Sequence, residues 1–154
     1  MKATLGGGGR PLEVLLVEDS PGDVRLTKEA LRHANRAIHL HVVCDGVEAI
    51  AFLRHEGAYV DAPRPHLILL DLNLPRMDGR EVLAQVKADD GLKTIPIIIL
   101  TTSEAEADIV KSYQLQANCF LTKPVELDAF ESVVKSINDF WLTKVKLPHE
   151  GPRG

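Results

Sequence analysis

Cysteine is scarce in this chain of 154 residues: Cys44 and Cys119 are the whole complement, and they carry no metal-ligand spacing. That excludes a disulfide scaffold or a thiolate zinc site and points to a reducing, cytoplasmic compartment. No apolar stretch approaches the roughly 18 residues a membrane helix needs, and the longest, residues 95–100, is strand length. Nor is there a basic excess: 18 Lys and Arg stand against 22 Asp and Glu, for a net charge of −4. A duplex-DNA binder normally shows the opposite balance, so neither nucleic acid nor membrane is an expected partner. The first eleven residues, MKATLGGGGRP, lack the apolar core of a secretory signal. Their four glycines lack the Gly-Lys-Ser/Thr ending of a phosphate loop and precede the first strand pattern, so residues 1–11 are expected to be a flexible leader.

What the chain does contain is an alternation. Apolar runs at 12–17, 38–43, 66–70, 96–100 and 118–121 predict five strands. Between and after them, 21–34, 46–54, 79–87, 104–115 and 125–142 predict helices, the first capped by Ser20 with Pro21 at its first position. Residues 55–65 predict a loop. The strands are apolar at consecutive positions, as in a parallel sheet buried on both faces. Right-handed crossovers make the flavodoxin-like order 2-1-3-4-5 the commonest solution, an α/β doubly wound sheet over residues 12–142. In that order Cys44 and Cys119 lie at opposite edges, roughly 19 Å apart at about 4.8 Å per strand, too far to bridge. His39 and His41 share one face of the second strand and are expected at an edge-strand surface rather than on a metal. Gly79 is expected to serve the turn into its helix.

Ligands of such sheets bind at the carboxyl ends of the strands. There the sequence places Glu18 and Asp19, Asp71, Thr101 and Thr102, and Thr122-Lys123-Pro124. Three carboxylates at one rim repel one another unless a cation intervenes. An oxygen-only donor set suits a hard ion, Mg²⁺ or Mn²⁺, which leaves positions for phosphate, and a carboxylate can itself become an aspartyl phosphate.

These residues stand in four motifs: Leu15-Leu16-Val17-Glu18-Asp19; Leu67-Ile68-Leu69-Leu70-Asp71-Leu72-Asn73-Leu74-Pro75-Arg76-Met77-Asp78-Gly79; Ile98-Ile99-Leu100-Thr101-Thr102-Ser103; and Phe120-Leu121-Thr122-Lys123-Pro124. In order and spacing they resemble the response-regulator receiver domain of two-component signalling. The resemblance implies that Asp71 accepts a phosphoryl group from a histidine kinase. It implies that Asp19, Asp71 and the Asn73 carbonyl hold Mg²⁺, with Glu18 acting through a bound water. It assigns Lys123 and Thr101 to the phosphoryl oxygens, Thr101 and Phe120 to a switch, and a cis bond to Pro124. Such a domain is a signalling switch rather than a freestanding enzyme, with phosphotransfer and autodephosphorylation as its only chemistry. Thr102 stands where alanine is common, and Phe120 replaces a frequent tyrosine and so lacks a phenolic donor.

The flanks, Ser20-Pro21-Gly22-Asp23-Val24-Arg25-Leu26, the loop at 55–65 and residues 137–148, are similar to the small regulators that serve bacterial and cyanobacterial phytochrome kinases. A homodimer is expected as well. Leu127, Phe130, Val133, Val134, Ile137 and Trp141 form one helical stripe for the sheet, while Phe140 and Leu142 fall outside it and Val145 and Leu147 follow in the extension 143–154. The alternative from another class is a haloacid-dehalogenase-like Mg²⁺-dependent phosphatase. It requires a titratable acid two residues after the nucleophile, where this chain has Asn73.

Overall fold

The structure, a computed structural model, describes residues 2–5, 11–34, 37–101 and 119–143, with side chains for 11–34, 37–100 and 120–135. Six strands form one sheet: β1 (Lys2–Leu5), β2 (Leu12–Val17), β3 (Ile38–Val43), β4 (Leu67–Asp71), β5 (Ile97–Thr101) and β6 (Cys119–Thr122), in the order β1-β3-β2-β4-β5-β6. The five strands from β2 onward are parallel and reproduce the order 2-1-3-4-5.

The sixth strand corrects the sequence reading. Residues 2–5, expected within a flexible leader, pair antiparallel with β3, Lys2 opposite His41 and Leu5 opposite Ile38. The outer edge of β3 would otherwise present a row of unpaired backbone donors and acceptors, which β1 satisfies. β3 is therefore not an edge, and His39 and His41 are not simple surface residues. Both bond to one carboxylate of the neighbouring strand: His41 Nε2 lies 2.7 Å from Glu13 Oε1 and His39 Nδ1 lies 3.0 Å from Oε2. Burial alone would push Glu13 up, but the two imidazoles overcome it and hold the carboxyl below its ordinary value.

Helices α1 (Pro21–Leu31), α2 (Gly46–Arg54), α3 (Gly79–Ala88) and α4 (Leu127–Thr143) cover the sheet. Alternate residues of each strand point to opposite faces, which sorts the core into two layers. On one face Leu15, Val17, Ile68, Leu70 and Ile99 pack with Phe52 and Leu53 of α2 and Val82, Leu83 and Val86 of α3. On the other, Val14, Leu16, Leu69, Ile98 and Leu100 pack with Leu31 of α1 and Phe130 and Val134 of α4. Phe130, Val134 and the half-buried Leu127 and Val133 bear out the expected stripe as far as side chains are described. The helix predicted at 104–115 lies outside the described residues.

Caps fix the helix starts. Ser20 Oγ accepts the Asp23 amide of α1, Asp45 accepts the Glu48 amide of α2, and Asp78 accepts the Arg80 amide of α3. α1 ends at Leu31, three residues before the sequence suggests, because the Ala34 amide bonds back to Leu31 O in a tight turn. The loop after α2 is pinned by Tyr59, whose ring lies 5.4 Å from that of Phe52 and whose hydroxyl donates to Glu48 at 2.7 Å.

Gly79 has another role than the one expected. It lies inside the first turn of α3 rather than at a position of positive φ; that conformation falls to Arg76, at φ 66°. The Gly79 amide donates to Leu72 O at 2.9 Å, and a Cβ there would overlap the carbonyl oxygen of Asp71. The glycine is needed so that the helix can approach the end of β4.

Candidate functional site

Strand register assembles the site. Val17 pairs with Leu70, so Glu18, one residue on, stands level with Asp71. Asp71 pairs with Leu100, and Thr101 pairs with Thr122, which brings Lys123 to the same rim. Each carboxylate or ammonium follows directly from an apolar strand held in place on both faces, so its backbone is fixed by packing far from the site.

The centre of the arrangement is Lys123. Its Nζ lies 2.8 Å from Asp23 Oδ2, 2.9 Å from Glu18 Oε1 and 3.3 Å from Asp71 Oδ2. Glu18 is 1% exposed and Asp71 5%, while Asp23 at the mouth is 34% exposed. The second oxygens are also held: Glu18 Oε2 accepts the Ser20 amide at 3.2 Å, and Asp71 Oδ1 accepts the Asn73 amide at 3.1 Å. The Lys123–Pro124 peptide is cis, as the family resemblance implies.

Burial would push the Lys123 ammonium down, but hydrogen bonds to Asp23 and Glu18 and the charge of Asp71 overcome it and hold it above its ordinary value. Burial pushes Glu18 up to about 7; the hydrogen bond from Lys123 opposes this and the charge of Asp71 adds to it. A carboxyl raised in the folded state favours the fold while protonated. That contribution is whole below the ordinary value of 4.5 and is lost as pH rises through about 7. Without divalent cations the chain should therefore lose up to about 3 kcal/mol of stability from this group between pH 4.5 and 8. Urea unfolding at a series of pH values checks it. Glu18→Gln should flatten that slope, and an unchanged slope in the variant would refute the assignment.

One carboxylate oxygen from each of Glu18, Asp19 and Asp71 lies within 4.8 Å of the others, with Asp19 exposed and the other two buried. It is the group with metal-site geometry among the described residues. The donor set, all oxygen and in excess over its single ammonium, fits a hard divalent cation. Of the other predicted residues, Thr101 ends β5 opposite Thr122, and Phe120 is half-buried against the α2/α3 layer. The side chains of Thr101, Phe140 and Leu142, and all of Val145 and Leu147, lie outside the described residues. Sequence reasoning missed Asp23 as a site residue. The available signal was its spacing, four residues after Asp19 in the first turn of a helix that starts at the rim.

A family model described as the response regulator receiver domain matches residues 14–135. The chain belongs to that family. Among curated relatives of this receiver, Response regulator Rcp1 of Synechocystis sp. is 49% identical over 138 residues, covering 90% of this chain and 94% of the relative. The crystal structure of the phosphorylated cyanobacterial phytochrome response regulator RcpA superposes with a TM-score of 0.73 at 49% identity, over 90% of this chain and 99% of that one. The bacteriophytochrome response regulator AtBRR gives 0.73 at 41%, over 86% and 96%. A structure of the Mn²⁺-bound form of Rcp1, at 49% identity and a TM-score of 0.71 over 90% and 99%, agrees with the acidic character of the cluster here. The phosphatase alternative finds no support: the receiver match runs over residues 14–135, which takes in the strand ends of β2, β4, β5 and β6, and Asn73 stands where the second acid would be required.

Proposed function

We propose that the chain is a phosphorylation-dependent switch in which Asp71 accepts a phosphoryl group from the phosphohistidine of a sensor histidine kinase, of the phytochrome type. The observation that carries this reading is the Lys123 ammonium 3.3 Å from the buried Asp71 carboxylate, beside the oxygens of Glu18 and Asp19. An Asp71 oxygen attacks phosphorus, the phosphorus–nitrogen bond breaks, and the imidazole leaves with the electron pair and is reprotonated by solvent. Lys123 donates to the phosphoryl oxygens, and the Asn73 amide holds the other Asp71 oxygen in place. Asp19, Asp71 and the Asn73 carbonyl would hold Mg²⁺ or Mn²⁺, with Glu18 reaching it through water. Bound there, the cation would neutralise charge on the transferring group.

The kinase assignment is supported by relatives described as phytochrome and bacteriophytochrome regulators. This reading takes the cytoplasm as the location, with the scarcity of cysteine as its support. No helix among the described residues is long and apolar enough to cross a membrane. Thr101 and Phe120 carry the signal outward, the hydroxyl moving to the phosphoryl group and the half-buried ring following it. The output includes a homodimer contact through Phe140, Leu142, Val145 and Leu147, for which the support is the apolar surplus of the sequence.

Acetyl phosphate with Mg²⁺ should add one acid-stable, base-labile phosphate. Beryllofluoride should move the NMR signals of Asp71 and Phe120 together. If neither reagent acts in the presence of Mg²⁺, the reading is wrong. In sedimentation the full chain should run as a dimer at tens of micromolar and a chain ending at Asp139 as a monomer; a monomeric full chain would rule the contact out.

A further inference from the structure

An ammonium has three N–H donors, and in Lys123 each meets a carboxylate. Two of the three acceptors, Glu18 and Asp71, belong to the strand ends. The third, Asp23, comes from the first turn of α1, where Ser20 Oγ accepts its backbone amide and holds the turn against the site. Among the relevant distances its bond is the shortest, at 2.8 Å.

A phosphoryl group on Asp71 inherits the Lys123 donor that now meets Asp71 Oδ2 at 3.3 Å. A second donor to its oxygens can come only from Glu18 or Asp23, one of which must then give up its hydrogen bond. Releasing Glu18, 1% exposed, would take the donor from its buried Oε1 and leave the acid only the Ser20 amide on Oε2. Releasing Asp23, 34% exposed, returns a carboxylate to water at little cost. The partly exposed acid is thus the one that exchanges.

We propose that Asp23 is a positioning residue that acts through Lys123. It holds the ammonium toward α1 in the unphosphorylated chain and yields it to the phosphoryl oxygens on Asp71, and so sets how readily the site takes up a phosphoryl group. This rests on Asp71 being the acceptor and adds the group that competes with phosphate for the lysine. Because its carboxylate partners keep Lys123 protonated, the exchange is one of acceptors and not of protons.

The test is titration of the full chain with beryllofluoride at saturating Mg²⁺, followed by NMR. Asp23→Asn should raise the affinity about threefold to tenfold, and Asp23→Ala should do the same. In a Lys123→Gln background the gain should vanish, which a purely structural effect of Asp23 would not do. Unchanged or weakened affinity in both Asp23 variants would overturn the proposal. So would a gain of equal size in the Lys123→Gln background, since Asp23 would then only repel the anion through space. If the unsubstituted chain fails to bind beryllofluoride, the functional reading itself falls, and this proposal with it.

Discussion

Replacing Asp71 with asparagine will abolish phosphoryl transfer to the chain, on the order of a thousandfold or more, and leave the fold intact. The amide lacks the anionic oxygen that attacks phosphorus, so nothing else at the rim compensates. Glu18 is bonded to Lys123 and to the Ser20 amide, and Asp23 lies at the mouth. The fold survives because the new amide oxygen can still accept from Asn73, as Asp71 Oδ1 does at 3.1 Å. It also survives because one charge leaves a cluster with an acidic excess: with the Asp71 charge gone, one of the influences that raise Glu18 disappears. Stability should change little, since the charge removed is one of an acidic excess around Lys123. Phosphate incorporation from acetyl phosphate, read beside urea unfolding of the same variant, checks both halves. Undiminished labelling of Asp71→Asn would move the acceptor elsewhere.

Gly79→Ala will damage the molecule in the opposite way, through the fold first and the site second. The added Cβ would overlap the Asp71 carbonyl oxygen and lie 2.7 Å from Leu72 Cα and 3.1 Å from the Asp71 carbonyl carbon. All of these are backbone atoms, and Asp71 is locked in the sheet by its pairing with Leu100. No flexible side chain is available to yield. Either α3 lifts from the sheet, loosening Val82, Leu83 and Val86, or the end of β4 shifts and takes the Asp71 carboxylate with it. The cost should be about 3 kcal/mol, the upper range for overpacking. Phosphate uptake should fall even at temperatures where the variant is folded. A Gly79→Ala chain with native stability and native labelling would show that the helix start has more freedom than this packing allows.

The strand-end residues were legible in the sequence because their signal is local. Apolar runs stop abruptly at Glu18, at Asp71 and before Lys123, and parallel topology then carries those ends to one rim. What was not legible is pairing between distant segments. The four residues of β1 are too short for any periodicity to declare a strand; only the vacant edge of β3, visible once the sheet is assembled, gives them a partner. The same holds for His39 and His41, whose common partner Glu13 lies opposite His39 on the adjacent parallel strand. Asp23 belongs to this class as well. Its residue type suits the first turn of a helix on local grounds alone, so only the distance to Lys123, a hundred residues away in sequence, reveals that it faces the site. Gly79 illustrates a third case: the sequence marks a glycine near a turn, but whether it serves a turn or a close approach depends on what packs above it.

The acceptor can be located chemically. Borohydride reduces an aspartyl phosphate to homoserine, so the chain should be phosphorylated with acetyl phosphate and Mg²⁺, reduced, digested and sequenced by mass spectrometry. Homoserine at position 71 alone, dependent on Mg²⁺ and absent from an unphosphorylated control, is the predicted result. Homoserine at Asp19 or Asp23 with none at 71, or incorporation that is indifferent to divalent cations, would contradict it.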